Sequence, residues 1–263
     1  MAAAAFSLAV SFGASAFAGP APIDFGTASG FAVLAGSTVT NTGASEISGN
    51  IGVWPGTAVT GFPPGIIVNG GIYDGDSVAM QAESDALAAY NTAASETGGV
   101  SLTGQNLGGL TLTPGVYDFS SAAQLTGILT LNAENMQNAV FVFQIGSTLT
   151  TAADSLISVI NGEAANVVWQ IGSSATLGAG SSFDGDILAF ASITLDTGAT
   201  VSCGGALALN GAVTMDTNTV STTGSSCGSG QMGVPEPRSF LMLLAGCAVV
   251  FVFGRNRSAF YSR

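Results

Sequence analysis

Three threonines stand at one recurring place in this chain. Thr176, Thr194 and Thr214 occupy it in three near-copies of a unit: VVWQIGSSATLGAGSSF (167–183), ILAFASITLDTGATV (187–201) and ALALNGAVTMDTNTV (206–220). They lie 18 and 20 residues apart. Two upstream segments, LTGILTLNA and VFVFQIGSTLTTAADSL, carry Thr130 and Thr148 at what reads as the same place. A threonine with no base beside it is a poor nucleophile. A row of them offers a hydroxyl and a methyl at fixed intervals, on side chains that are stiff at χ1. Two acidic pairs are the other candidates for chemistry. Asp184-Gly185-Asp186 falls between units, where Asp also favours turns. Asp74-Gly75-Asp76 reads as a turn and helix cap, because the further oxygen ligands of a calcium loop are missing. No cofactor and no metal is expected. Of three cysteines, Cys203 and Cys227 fall in the part of the chain expected to be exported, where a disulfide between them would fasten the last coil, free thiols being the alternative. Cys247 sits in an apolar run near the end.

The period says what must position the threonines. A unit of about 18 to 20 residues with three short strands is the mark of a β-solenoid. Each unit would be one triangular coil, and equivalent residues would stack about 4.8 Å apart on parallel strands. Alternation turns Leu149, Leu177, Leu195 and Met215 inward and Thr148, Thr176, Thr194 and Thr214 outward. On a second face, Ser155, Ser182, Thr200 and Thr219 precede inward Leu156, Phe183, Val201 and Val220. On the remaining face VFVFQI, VVWQI, ILAF and ALAL are apolar at consecutive positions, as strands covered on both sides are. Residues 77–96 supply the cover. They form the one convincing helix, with an apolar stripe of Val78, Ala82, Leu87, Tyr90 and Ala94, an Asp76 N-cap and a Gly98-Gly99 stop. FAVLAGSTVTNTGAS (31–45) resembles ILAFASITLDTGAT (187–200), so a further coil is separated in sequence from the main stack, and it brings Thr38 and Thr40. A T-A/G-x-T pattern recurs at Thr57–Thr60 and Thr197–Thr200.

Charge removes several classes of partner. The four basic residues all lie in the C-terminal tail, and residues 19–233 hold no Lys, Arg or His against 15 acidic side chains. Nucleic acid and anionic membrane find no cation there. Residues 1–18 end in Ala16-Phe17-Ala18 and read as a secretory signal peptide, though without a basic n-region. Residues 19–230 are the solenoid domain, and 231–263 are a tail. In the tail Val234-Pro235-Glu236-Pro237 leads to a 14-residue apolar run, 240–253, too short for an ordinary span, and then to Arg255 and Arg257. This order resembles the PEP-CTERM sorting signal of Gram-negative bacteria. The resemblance implies an exosortase-type processing partner and a secreted or cell-surface location.

FAVLAGSTVTNTG, the GNIGV and TAVTGFPPG segments, LGGLTLTPGVY, VFVFQIGSTLTTA and VVWQIGSSATLG, in that order from Ile23 to Val220, resemble the bacterial and fungal ice-binding protein family known as DUF3494. The resemblance implies a mainly β fold, a discontinuous right-handed parallel β-helix of triangular section with one long helix packed alongside. It implies that the N-terminal coil docks on the C-terminal ones, in agreement with the orphan repeat at 31–45. It also implies binding of an ice surface by one flat β-face of small and hydroxyl residues. Here the candidates for that face are Thr130, Thr148, Thr176, Thr194, Thr214, Thr38, Thr40, Thr57, Thr60 and Thr197. The physics agrees: a periodic solid of water oxygens needs a flat, rigid, repetitive partner. Threonine supplies a methyl to cage water and a hydroxyl to anchor the cage. Outward threonines are also ordinary strand surface, so other readings stay in view. One is an extracellular matrix or adhesin solenoid. Another is a polysaccharide-cleaving β-helix, for which only the Asp184/Asp186 pair is available. The expected protein is a monomeric ice binder and not an enzyme. If Cys203 and Cys227 pair, peptide mapping without reduction recovers them as one linked peptide; alkylation of both before reduction would remove that clamp.

Overall fold

A computed structural model describes residues 19–162 and 165–222. The signal segment 1–18, the tail 231–263, Cys227 and Cys247 lie outside the described residues. Among the described residues the chain winds through three parallel sheets, laying one short strand in each as it goes round. Two turns of the N-terminal segment add to one end of the stack. Thus 31–35 pairs with 206–208, 38–42 with 213–216 and 46–48 with 219–221. The fold is the mainly β, discontinuous solenoid with one long helix that the repeats and the resemblance led us to expect.

The nine-stranded sheet is apolar on both sides for a reason visible in its two sets of neighbours. Phe141, Phe143, Ile145, Trp169, Ile171, Ile187 and Val33 face the solenoid interior. The alternate residues, Val140, Val142, Val168, Leu188, Leu207 and Leu34, face the helix. Inside, the column Tyr117, Phe143, Trp169, Ile187, Ala206, Val33 runs in register from strand to strand. Its wide end is filled by stacked rings, Phe143 on Trp169 at 3.8 Å and Tyr117 on Phe143 at 5.3 Å. The indole N–H is satisfied by the Asp184 carbonyl at 3.0 Å, so the largest side chain is buried without an orphan donor.

The helix spans Ser77–Ser95. Asp76 caps it, accepting from the Val78 and Ala79 amides at 3.0 and 2.9 Å. At the far end the Gln144 amide donates to the Ala93 and Glu96 carbonyls, both at 2.8 Å, closing the last turn from the sheet. The buried stripe differs from the expected one. It is Ala79, Ala82, Ala86, Ala89 and Ala93, while Val78 and Leu87 are exposed, as is Ala94. The reason is steric. The sheet already presents a ridge of valines and leucines, so the helix lies close only by offering methyl groups. Val78, Met80 and Leu87 are therefore turned away, while Ala82 and Tyr90 of the expected stripe do pack toward the sheet, Tyr90 against Phe190.

The third sheet also departs from expectation in one strand. Leu156 pairs with Ser182, so Ile157 points inward rather than Leu156. Ser155 is buried and its hydroxyl donates to the Leu125 and Ala152 carbonyls at 3.0 and 2.8 Å. The inward positions Phe183, Val201 and Val220 are as expected.

One ionisable group lies in the helix–sheet seam. Glu83 is 8 % exposed, and its Oε1 has no hydrogen-bond partner among the described residues. Burial pushes its carboxyl up to about 8. An unfolded Glu titrates near ~4.3. The folded chain therefore holds this proton more tightly than the unfolded one. The associated stability is complete below the unfolded value and is lost as pH rises through about 8. The melting temperature is expected to fall as pH rises from ~4.3 to about 8, with no further loss from this group above that. Glu83→Gln should remove that part of the fall, because an amide carries no charge to strand in the seam. An unchanged fall over that range in the Gln variant would contradict the assignment.

Candidate functional site

The seven-stranded sheet runs in the order 123–125, 149–151, 175–177, 193–195, 213–216, 38–42, 58–60. Each strand alternates buried and more exposed residues, as in Ala175-Thr176-Leu177 and Val213-Thr214-Met215. One column of outward residues then follows from the pairings: Gln124, Thr150, Thr176, Thr194, Thr214, Thr40, Thr60. Six of these in succession are threonine. With strands about 4.8 Å apart the six span roughly 24 Å. None of their hydroxyls has a partner within the protein among the described residues. The inward column beneath them, Leu149, Ala175, Ile193, Val213 and Val39, is buried and anchors the strands to the core.

A second outward column lies two residues earlier on each strand, about 6.6 Å away. Backbone bonds join its members in order: Leu149 N–H to Ser174, Ala175 N–H to Ser192 and Ile193 N–H to Ala212. Thr148 accepts from the Ala123 amide, and Thr38 pairs with Ala58 at the other end. Every residue in this file from Thr148 to Ala58 is Thr, Ser or Ala, so nothing rises above the threonines beside it. The serine hydroxyls here are partly engaged: Ser174 and Ser192 accept from the Ser192 and Ala212 amides, both at 3.3 Å.

The candidate threonines divide on this map. Thr176, Thr194, Thr214, Thr40 and Thr60 share the central column, and Thr38 and Thr148 belong to the flanking one. Thr148 is thus on the expected sheet but one column aside; its place in the ladder belongs to Thr150. Thr130 is on a different sheet altogether, paired with Ser158 and Thr111 in the third one. Thr57 is exposed at the turn entering the last strand. Thr197 also lies in a turn, and its hydroxyl donates to the Asp216 carboxylate. Hydrogen bonds from Thr197 and Thr217 hold that carboxyl below its usual range. The two T-A/G-x-T segments therefore occupy different places. Residues 57–60 lead into the threonine sheet, and 197–200 lead into the third sheet.

Thr150 and Gln124 were missed for separate reasons. Matching Leu149 to Leu177 slips the unit by two residues. Matching Gly146 to Gly172 instead sets Thr150 against Thr176, and the glycine turn is what the backbone aligns, since the Gly172 amide donates to the carbonyl before Gly146. Gln124 carries no threonine to attract notice; the hydrophobic pair around it, Ala123 and Leu125, is the signal.

The acidic pair does structural work. The Asp186 carboxylate accepts from the Gly205 amide at 2.9 Å, bridging to the next coil. Burial pushes its carboxyl up to about 7 and that of Asp184 up to about 6. Gly185 between them has φ 99°, a left-handed conformation, with the Val167 backbone too close for a Cβ. Cys203 is disulfide-bonded, and Cys227, the expected partner, lies outside the described residues.

Known proteins resemble the chain over nearly all of this architecture. An ice-binding protein of Nostoc sp. (strain HG1) is 56 % identical over 228 residues, 87 % of this chain and 84 % of that one. The crystal structure of an ice-binding protein from Antarctomyces psychrotrophicus has a TM-score of 0.74 at 40 % identity, covering 78 % of this chain and all of that one. Another, from an Antarctic biological consortium, has a TM-score of 0.74 at 44 % identity, covering 81 % of this chain and 96 % of that one. Residues 33–221 match the model of the family described as ice-binding-like, and to that family this chain belongs.

Proposed function

We propose that this protein is an ice-binding, antifreeze protein that adsorbs to ice through its seven-stranded sheet. The observation that carries the reading is the column Thr150, Thr176, Thr194, Thr214, Thr40, Thr60, in register, unbroken and free of internal hydrogen bonds. Ice is a rigid periodic acceptor and donor array. A surface that meets it at many points must repeat at a constant interval and must not have to freeze its own side chains on contact. Threonine's β-branch restricts χ1 before binding. Its methyl orders water into a cage and its hydroxyl fixes the cage to the protein. Thr38, Thr148 and the flanking serines widen the contact, while Thr57 and Thr197 lie at its borders. Thr130 lies outside it. The ice-binding relatives and the similar solved structures support the same reading.

Adsorption over such a face pins the growing surface between bound molecules, so it slows both growth and recrystallisation. No bond of a substrate is broken. Of the pair an enzymatic reading would need, the Asp186 carboxylate is tied to the Gly205 amide in the corner between sheets. The protein acts outside the cell as a monomer, exported by its apolar N-terminus. Its Pro-Glu-Pro tail with terminal arginines would be handled by an exosortase-type enzyme that releases the protein or leaves it on the surface of a Gram-negative cell. The acidic, cation-free domain suits that setting, because it has no affinity for anionic lipid.

Thr194 lies near the middle of the column, and Thr200 is outward on the third sheet. Thr194 is half-buried but points outward between inward Ile193 and Leu195, so Thr194→Tyr should change stability only slightly, by ~0.5 kcal/mol, as surface substitutions away from caps usually do. It should nonetheless abolish most thermal hysteresis and recrystallisation inhibition, because one ring lifts several neighbouring strands off the lattice. Thr200→Tyr should leave activity near that of the parent. The reverse pattern would mean that ice meets the third sheet, and two active variants would separate ice binding from the threonine column.

A further inference from the structure

The threonine column crosses a seam that no covalent link controls. From 123 to 216 each strand is delivered by the coil before it, so chain length limits its register. Between 213–216 and 38–42 the neighbours come from opposite ends of the domain. A slip of two residues there would keep every inward side chain inward, since strand side chains repeat every second residue. It would also set Thr38 or Thr42 beside Thr214 and break the file of hydroxyls in its middle.

The corner below this seam is polar where its neighbours are apolar. The inward position held by Leu195 and Met215 in successive strands is Asn41 in the next. The position of Ala199, one residue before Thr200, is Asn218 and then Ser45 in the coils that meet at the seam. All three polar residues are buried, Asn41 4 %, Ser45 0 % and Asn218 1 % exposed. Their bonds form one connected chain through four coils. The Asn41 amide donates to the Gly61 and Gly43 carbonyls at 2.9 and 3.0 Å. The Ser45 hydroxyl donates to Asn41 Oδ1. The Asn218 backbone amide donates to Ser45 Oγ at 2.9 Å, across 173 positions of sequence. Finally the Asn218 side-chain amide donates to the Asp196 and Ala199 carbonyls at 2.8 and 3.0 Å.

We propose that Asn41, Ser45 and Asn218 are positioning residues that lock the register of the seam and so keep the ice-contacting threonines in one file. Buried polar groups specify a register because any other arrangement strands a donor or acceptor away from water. Leucine and alanine, used at the same positions in the coil of Leu195 and Ala199, accept many registers about equally well. The network therefore sits at the one junction in the threonine sheet where chain connectivity does not choose for the protein. Its consequence for activity rests on the ice-face reading above; its effect on register does not.

The test replaces the network with the pattern of the coil that carries Leu195 and Ala199, Asn41→Leu, Ser45→Ala and Asn218→Ala together, in the full chain. Taking out the three side chains removes the Ser45–Asn41 bond whole but leaves the backbone groups of Gly43, Gly61, Asp196, Ala199 and Asn218 without these partners, so the variant is expected to be less stable, and its fold is checked before register is read. Register is read by oxidative cross-linking of added cysteine pairs. Thr214→Cys with Thr40→Cys reports the native register, and Thr214→Cys with Thr38→Cys or Thr42→Cys reports slipped ones. In the parent network only the native pair should link well. In the triple variant the slipped pairs should gain a comparable share, and recrystallisation inhibition should drop several-fold while the circular-dichroism spectrum stays β-rich. Native-only cross-linking in the triple variant overturns the lock, whatever the ice assay gives. Slipped registers with undiminished activity overturn its functional role. If the triple variant does not fold, Ser45→Ala alone, which cuts the chain of bonds at its middle, should show a smaller rise of the slipped pairs, and no rise would count equally against the proposal. A parent chain without ice activity would sink the ice-face reading and leave the cross-linking result to decide the lock.

Discussion

In a stack of parallel strands the main-chain hydrogen bonds impose one repeat distance, about 4.8 Å, on every side chain that shares a column. This constraint underlies everything else in the molecule. It turns a loosely repeated sequence into a row of threonines at equal intervals. It turns consecutive aromatic positions into the Tyr117–Phe143–Trp169 stack. It also makes one residue of misregister costly, because a shift by one exchanges the core for the surface. The three sheets then differ only in what their outward columns meet: a helix, water, or the candidate ice surface.

The division of labour among the sheets follows from the side chains available to each. The nine-stranded sheet is sealed by a helix whose contact stripe is alanine, so the largest apolar surface is buried at close range. The seven-stranded sheet is left open, with small hydroxyl residues in two adjacent files. The third sheet is open as well, but its columns mix Glu46, Thr219, Thr200, Ser182 and Leu156, and neither size nor chemistry is constant along them. Regularity, more than hydroxyl content, separates the threonine sheet from the third. The absence of lysine and arginine from the domain fits this picture, since long mobile cations would disturb ordered water next to the face.

Much of the fold could be read from the sequence, because period, apolar runs and helix caps are local signals. Asp76 caps the helix as its type suggests, and the orphan repeat at 31–45 docks on the last coil. What could not be read depended on partners. The helix stripe was misassigned because hydrophobicity favours Val78 and Leu87, whereas the fit against a ridged sheet selects alanine. Thr148 and Thr130 were placed by side-chain resemblance. Coil geometry is set by glycine turns, and it puts Thr150 in the column and Thr130 on another sheet. The polar residues Asn41, Ser45 and Asn218 carry no motif or period of their own; only the seam gives them a joint role.

The central claim is that the protein holds water in an ice-like file along the threonine column before any ice is present. The measurement that tests it most directly is the position of ordered water over the seven-stranded sheet, determined by high-resolution diffraction from the protein. The account predicts a row of well-ordered waters between successive threonine methyls, each anchored by a hydroxyl and repeating at about 4.8 Å from Thr150 to Thr60. Water there that is no more regular than over the third sheet would contradict it.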